Sequence, residues 1–192
     1  MAFWHFVGQF VKEPRTIGAI APSSRQLADK MIEPINFDTA RVIVEYGPGS
    51  GVFTRHVLKY IDRERTIFFG LELNEKMNRL ASEKVPEVTI YQDSAAEIRK
   101  YLKQYGVTHA DAIISGLPWA SFSESLQDEI LNETVSGLPE GGVFTTFAYL
   151  HGLVLPSGIR FRKKLKQHFS DVKTSPVVWR NLPPALVYWC KK

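Results

Sequence analysis

Apolar positions along this chain follow two rhythms that take turns. Short apolar, β-branched runs recur at Val42–Tyr46, Thr66–Glu72, Val88–Tyr91, Ala110–Ile114 and Gly142–Tyr149, each the length of a buried strand. Between them the apolar spacing lengthens to that of a helix, which predicts helices near Val52–Tyr60, Glu75–Glu83, Ser94–Gln104, Ser123–Val135 and Ile159–His168. Strands alternating with helices imply a doubly wound sheet. Two further strands, about Asp171–Val178 and Ala185–Cys190, are joined only by Trp179-Arg-Asn-Leu-Pro-Pro184. That connector is too short for a crossover helix, so the pair is expected to form an antiparallel hairpin.

The chain opens differently. Phe3, Phe6, Val7, Phe10 and Val11 repeat at helical spacing with Trp4 beside them, while His5, Gln9 and Lys12 fall elsewhere around the helix. An N-terminal amphipathic helix with a strongly aromatic face is expected. It suits either a lid over a cleft or an interfacial helix supported by Lys12 and Arg15. Pro22 and the serines after it predict a turn and N-cap leading into a helix through Met31. Residues 1–33 are therefore read as N-terminal helices, a lid or membrane-contact region, and 34–192 as one domain.

Chemistry gathers at the carboxyl ends of the strands. The first strand carries Glu45 and runs into Gly47, Gly49 and Gly51 before an apolar helical pattern resumes at Val52. Glycine lets backbone approach a ligand with no Cβ in the way. The second strand ends in Glu72 and Leu73, where a carboxylate can take both hydroxyls of a ribose, and the third in Asp93 and Ser94, where a side chain can accept from an adenine amine. The fourth ends in Ser115-Gly-Leu-Pro-Trp119. Open α/β sheets bind ligands along that edge. An NAD-type loop would read Gly-x-Gly-x-x-Gly, whereas this one reads Gly-x-Gly-x-Gly after Glu45.

In this order of elements, residues 20–192 resemble the class I S-adenosylmethionine-dependent methyltransferases. The resemblance implies a Rossmann-like, seven-stranded α/β sheet with the C-terminal hairpin, and S-adenosyl-L-methionine as cofactor. It also implies that the glycine loop holds the methionine part, Glu72 the ribose and Asp93 the adenine. Glu45, Gly47, Gly49, Gly51, Glu72, Leu73, Asp93, Ser94 and Ser115 are the expected cofactor contacts. Methyl transfer needs little more than alignment of an acceptor lone pair with the reactive methyl. The acceptor is expected beside Ser115, Leu117 and Trp119, the candidate catalytic positions; the alternative reading of Pro118 and Trp119 is a rigid turn with an aromatic plug.

Two families share parts of that loop. Ribosomal RNA adenine dimethyltransferases carry Asn-Leu-Pro-Tyr or Phe where this chain has Gly116-Leu117-Pro118-Trp119, so the asparagine that holds the flipped adenine is missing. Ser115-Gly-Leu-Pro118 instead resembles the bacterial phospholipid N-methyltransferases. So do Ile20-Ala-Pro-Ser-Ser-Arg25, the stretch Glu45–Thr54 and Asn181-Leu-Pro-Pro-Ala-Leu-Val187. That resemblance implies stepwise N-methylation of phosphatidylethanolamine at a membrane surface, with the N-terminal helix as a reversible anchor. Trp119, Tyr149 and Tyr188 are the candidates for an aromatic lining that tolerates both the neutral amine and its cationic product. An RNA adenine N6-methyltransferase, a small-amine methyltransferase and an inactive cofactor-binding adaptor are the other readings.

Composition narrows this only slightly. With 192 residues and 44% hydrophobic content the chain is sized for a single core. A net charge of +4, with Arg160, Arg162, Lys163, Lys164 and Lys166 on one predicted helix, permits an anionic partner, whether membrane surface or nucleic acid. One cysteine excludes an internal disulfide, and the five histidines show no zinc spacing, so no metal is expected. No stretch approaches the ~18 consecutive apolar residues of a membrane span, and no secretion signal is evident. The expected location is cytoplasmic, peripherally associated with the inner face of the membrane; the oligomeric state is left open.

Overall fold

A computed structural model describes residues 23–192. The expected N-terminal amphipathic helix lies outside the described residues. The described chain begins with α1 (Arg25–Ile32), capped by Ser24, whose hydroxyl accepts from the Leu27 amide. It continues through β1 (Val42–Tyr46), α2 (Val52–Val57), β2 (Ile67–Leu71), α3 (Glu75–Lys84), β3 (Thr89–Tyr91), α4 (Ile98–Gln104), β4 (Ala112–Ser115) and α5 (Glu124–Ser136). Then come β5 (Val143–Tyr149), α6 (Leu150–Leu153), α7 (Pro156–His168), β6 (Asp171–Thr174) and β7 (Ala185–Lys191).

The strands form one sheet in the order β3-β2-β1-β4-β5-β7-β6. The first five run parallel, while β7 pairs antiparallel with both β5 and β6, giving the expected C-terminal hairpin. The fold is an α/β, Rossmann-like, doubly wound sheet. From β1 the chain winds outward to β3 and then returns to lay β4 on the other side of β1. That reversal opens a crevice beyond the carboxyl ends of β1 and β4.

Strand parity explains the layers. Every residue of β1 is buried, as expected for a strand covered on both faces. Val42, Val44 and Tyr46 join a core with Ile98, Leu102, Ile130, Phe161 and Leu165 from α4, α5 and α7. Ile43 joins a second core, with Leu27 and Met31 of α1 and Phe53 and Val57 of α2. Helix α1 is thus integral to the packing, although it falls within the segment 1–33 set apart on sequence. The Trp189 indole donates to the Lys30 carbonyl at 2.8 Å, and the Ser24 amide donates to Asn181 Oδ1 at 2.9 Å.

Several boundaries move for local reasons. Helix α7 starts at Pro156, three residues before the apolar pattern resumes, because proline suits the first turn of a helix. Strand β6 stops at Thr174, since Pro176 has no amide to donate; past it the Ser175 amide still donates to the Val187 carbonyl at 2.9 Å, and an isolated bridge joins Val178 to Ala185. The helix expected over Ser94–Gln104 divides into a 3₁₀ turn at Ala95–Glu97 and α4.

Candidate functional site

The crevice is built from two loops that touch through backbone. The Gly47 amide donates to the Leu71 carbonyl, which ties the loop after β1 to the end of β2, and the Gly116 amide donates to the Tyr46 carbonyl, which ties the loop after β4 to the end of β1, both at 2.8 Å. Gly47, Gly49 and Gly51 all have positive φ, of 64°, 55° and 75°, a region that favours glycine. A Cβ at Gly47 would stand 2.9 Å from Leu117 Cδ2, and one at Gly116 would stand 2.8 Å from the Gly47 carbonyl oxygen. No side chain fits between these loops.

Glu72 lies just past β2 and closes on the glycine loop. Its Oε2 accepts from the Gly49 amide at 3.2 Å and its Oε1 from the Asn74 amide at 3.0 Å. Burial raises its pKa, and the two amide donors offset only part of the rise. Asp93 behaves in the opposite way. Burial raises its pKa too, but Lys100 Nζ at 2.7 Å, the Tyr101 hydroxyl at 2.8 Å and the Ser94 amide at 2.8 Å together hold it below the usual range. Ser94 also turns its hydroxyl to the Ala96 amide, and Leu73 sits half-buried beside Glu72.

Glu45 is the most unusual group. It is 0% exposed, and neither carboxyl oxygen has a hydrogen-bond partner among the described residues. Burial pushes its pKa up to about 8; the adjacent Thr54 hydroxyl offsets part of this without closing a bond of ordinary geometry, and the negative charge of Glu72 adds to it. An orphaned acid, a glycine loop whose backbone carries no side chain at three positions and a second acid bonded to that loop fit a nucleoside cofactor carrying positive charge. In that fit, Glu45 would answer the charge, Glu72 the ribose and Asp93 the adenine.

The loop after β4 turns inward. Ser115 is fully buried, and its hydroxyl accepts from the Trp119 indole at 3.0 Å and from the Leu117 amide at 3.4 Å. The Trp119 ring is 2% exposed, stacked on Phe161 at 5.0 Å and edge-on to Phe144 at 6.0 Å. In a Trp119→Phe chain we expect a loss of about 1 kcal/mol in urea unfolding, from the missing indole bond to Ser115. Tyr188 meets Phe161 on the same face, at 6.4 Å. Tyr149 packs on the other face, against Phe147 at 5.4 Å and stacked on His151 at 5.7 Å. The three rings expected in one lining are therefore divided by the sheet, and only Tyr149 is partly open to solvent.

Sequence reasoning missed Gly116, Thr54 and the Lys100–Tyr101 pair. Gly116 was visible only as an absent asparagine. No local pattern joins Asp93 to a lysine seven residues away, because that contact depends on how α4 packs. Also unforeseen is an apolar rim at the same end of the sheet. Val154, Trp179 and Leu182 are 77%, 69% and 68% exposed, with Leu155 and Ile159 also in water. They lie on two segments stitched together where β5 ends, by the Leu150 amide donating to the Pro184 carbonyl at 2.9 Å. Arg160, Arg162, Lys163 and Arg180 are exposed among them in sequence.

No family model matches the chain. It is 28% identical to an ornithine lipid N-methyltransferase of Singulisphaera acidiphila, covering 98% of this chain and 95% of that one. Among solved structures, a TehB-like S-adenosylmethionine-dependent methyltransferase from Corynebacterium glutamicum matches with a TM-score of 0.64 and 14% identity, covering 98% of each chain. A Streptococcus mutans protein described as a methyltransferase, solved in complex with S-adenosylhomocysteine, matches at a TM-score of 0.60 and 20% identity, over 87% of this chain and 97% of that one. Ribosomal RNA methylases also occur among the structural neighbours. The chain has the fold of the class I S-adenosylmethionine-dependent methyltransferases, and it resembles a lipid N-methyltransferase over nearly its whole length.

Proposed function

We propose that the chain transfers methyl groups from S-adenosylmethionine to the amine of a lipid headgroup of the phosphatidylethanolamine type, at the surface of a membrane. The observation that carries this reading is the apolar rim. Val154, Leu155, Ile159, Trp179 and Leu182 stay in water at the sheet end that holds the glycine loop, with Arg160, Arg162, Lys163 and Arg180 near them in sequence. An interfacial surface combines these features: apolar and aromatic side chains enter the headgroup region, and each cation near an anionic leaflet contributes about 1 kcal/mol. None of the described helices is long and apolar enough to cross a membrane. The lipid-modifying relative supports the same acceptor class.

The cofactor supplies an electrophilic methyl group. The chain's own part is placement. Glu72, tied to Gly49 and Asn74, is set to take the ribose hydroxyls, Asp93 to accept from the adenine, and the bare backbone at Gly49, where the nearest atom to an added Cβ would be 3.8 Å away, is set to admit the methionine portion. The acceptor amine must arrive unprotonated, since an ammonium has no lone pair. Of the aromatic candidates, Tyr149 is the partly open one and is assigned to the acceptor side, while Trp119 and Tyr188 brace the loop from beneath.

RNA adenine methylation is the second reading, favoured by the fold alone. Against it stands Gly116, at the place where the adenine-methylating relatives have asparagine and where a Cβ would lie 2.8 Å from a backbone oxygen. The test is to incubate the protein with methyl-labelled S-adenosylmethionine and vesicles of phosphatidylethanolamine or of ornithine lipid, with ribosomal RNA in parallel. Label is expected in the lipid fraction. Label in RNA and none in either lipid would overturn the assignment.

A further inference from the structure

We propose that Glu45 stands as a neutral carboxylic acid in the ligand-free protein and releases its proton to solvent when S-adenosylmethionine binds, becoming the counter-charge of the bound cation. This rests on the reading that the crevice takes that cofactor. The geometry leaves the acid little choice. Glu45 is 0% exposed, and neither of its oxygens closes a hydrogen bond of ordinary geometry among the described residues, although the Thr54 hydroxyl and amide lie close enough to offset part of the cost of its charge. A buried carboxylate with no well-formed donor bond and no cation beside it takes up a proton instead.

The surroundings offer it no positive charge. From the end of β2 comes Glu72, which repels. On α2, Thr54 is neutral, Arg55 turns away to the Ser50 carbonyl at 3.4 Å and His56 turns to Asp29 of α1 at 2.7 Å. Across the sheet, Glu45 registers with Gly70 of β2 and Ile114 of β4. Consistent with this, burial pushes the acid up to about 8. An arriving ammonium or sulfonium reverses the balance, since an opposite charge close by favours the carboxylate.

The linkage has a definite sign. Below pH about 8 cofactor affinity climbs by up to tenfold per pH unit, and above it the climb flattens. In the ligand-free protein the contribution of this acid to stability is complete below its unfolded pKa and is lost as pH rises towards about 8.

The experiment is calorimetric titration with S-adenosylmethionine, without acceptor, near pH 6.5 in buffers of different ionisation enthalpy. Release of about one proton per bound molecule is expected from the wild type, and markedly less from Glu45→Gln. Subtracting that variant removes any titration of the cofactor itself. Should the glutamine chain fail to fold, infrared difference spectra of the wild type decide, because the protonated-carboxyl band must vanish on binding. Tight binding with buffer-independent heats and a persistent band would overturn the proposal alone. Failure to bind S-adenosylmethionine at all would overturn the cofactor reading and this proposal with it.

Discussion

A Glu72→Ala chain is expected to bind S-adenosylmethionine about a hundredfold more weakly than the wild type, with an unchanged far-ultraviolet spectrum. The estimate combines two hydrogen bonds to a charged group at about 1.5–3 kcal/mol each, tempered because part of that energy already goes to local order. In the ligand-free structure Glu72 grips the Gly49 and Asn74 amides, so its removal both deletes a ribose acceptor and loosens the glycine loop. Glu72→Gln, which keeps an acceptor oxygen but loses the charge, should fall between the two. Calorimetric affinities equal to wild type in the alanine chain would remove Glu72 from the cofactor site.

The second large effect is expected at Gly116. Writing asparagine there recreates the Asn-Leu-Pro order of the RNA adenine enzymes, yet the new Cβ would sit 2.8 Å from the Gly47 carbonyl oxygen and 3.6 Å from that of Tyr46. Both obstacles are backbone, and backbone cannot swing aside as a long side chain can. Gly116→Asn should therefore cost up to about 3 kcal/mol in thermal or urea unfolding, as overpacked sites do, and should weaken the cofactor by prising the two loops apart. Acquired labelling of ribosomal RNA with no loss of stability would show that the loop has room after all, and would revive the nucleic-acid reading.

These two sites also show what the sequence could and could not convey. The position of Glu72 just past a strand was legible because a strand and its terminal residue are local, and so was the glycine turn that opens α2. The hairpin followed from a connector too short to hold a helix. The aromatic lining failed to assemble for a different reason. Whether Tyr149 and Tyr188 share a face depends on the pairing of β5 with β7, where Tyr149 meets Ala185 and Tyr188 meets Thr146. That register is set by packing between segments almost forty positions apart, and no window along the chain reports it. Trp119 shows the same limit. Its motif was plain, but its direction was decided by Phe161 on a helix that begins much later.

The clasp between Ser24 and Asn181 joins positions 157 apart, and it has a consequence for how the molecule is made. Strand β7 is synthesised more than 150 residues after α1, yet it supplies part of the cover for Leu27 and Met31 of α1 and fills the gap between β5 and β6. The nascent polypeptide must carry α1 with that part of its cover missing until β7 has been made. A product truncated before Ala185 would keep the free edge of β5 open to a neighbouring strand, and so should aggregate rather than fold in part.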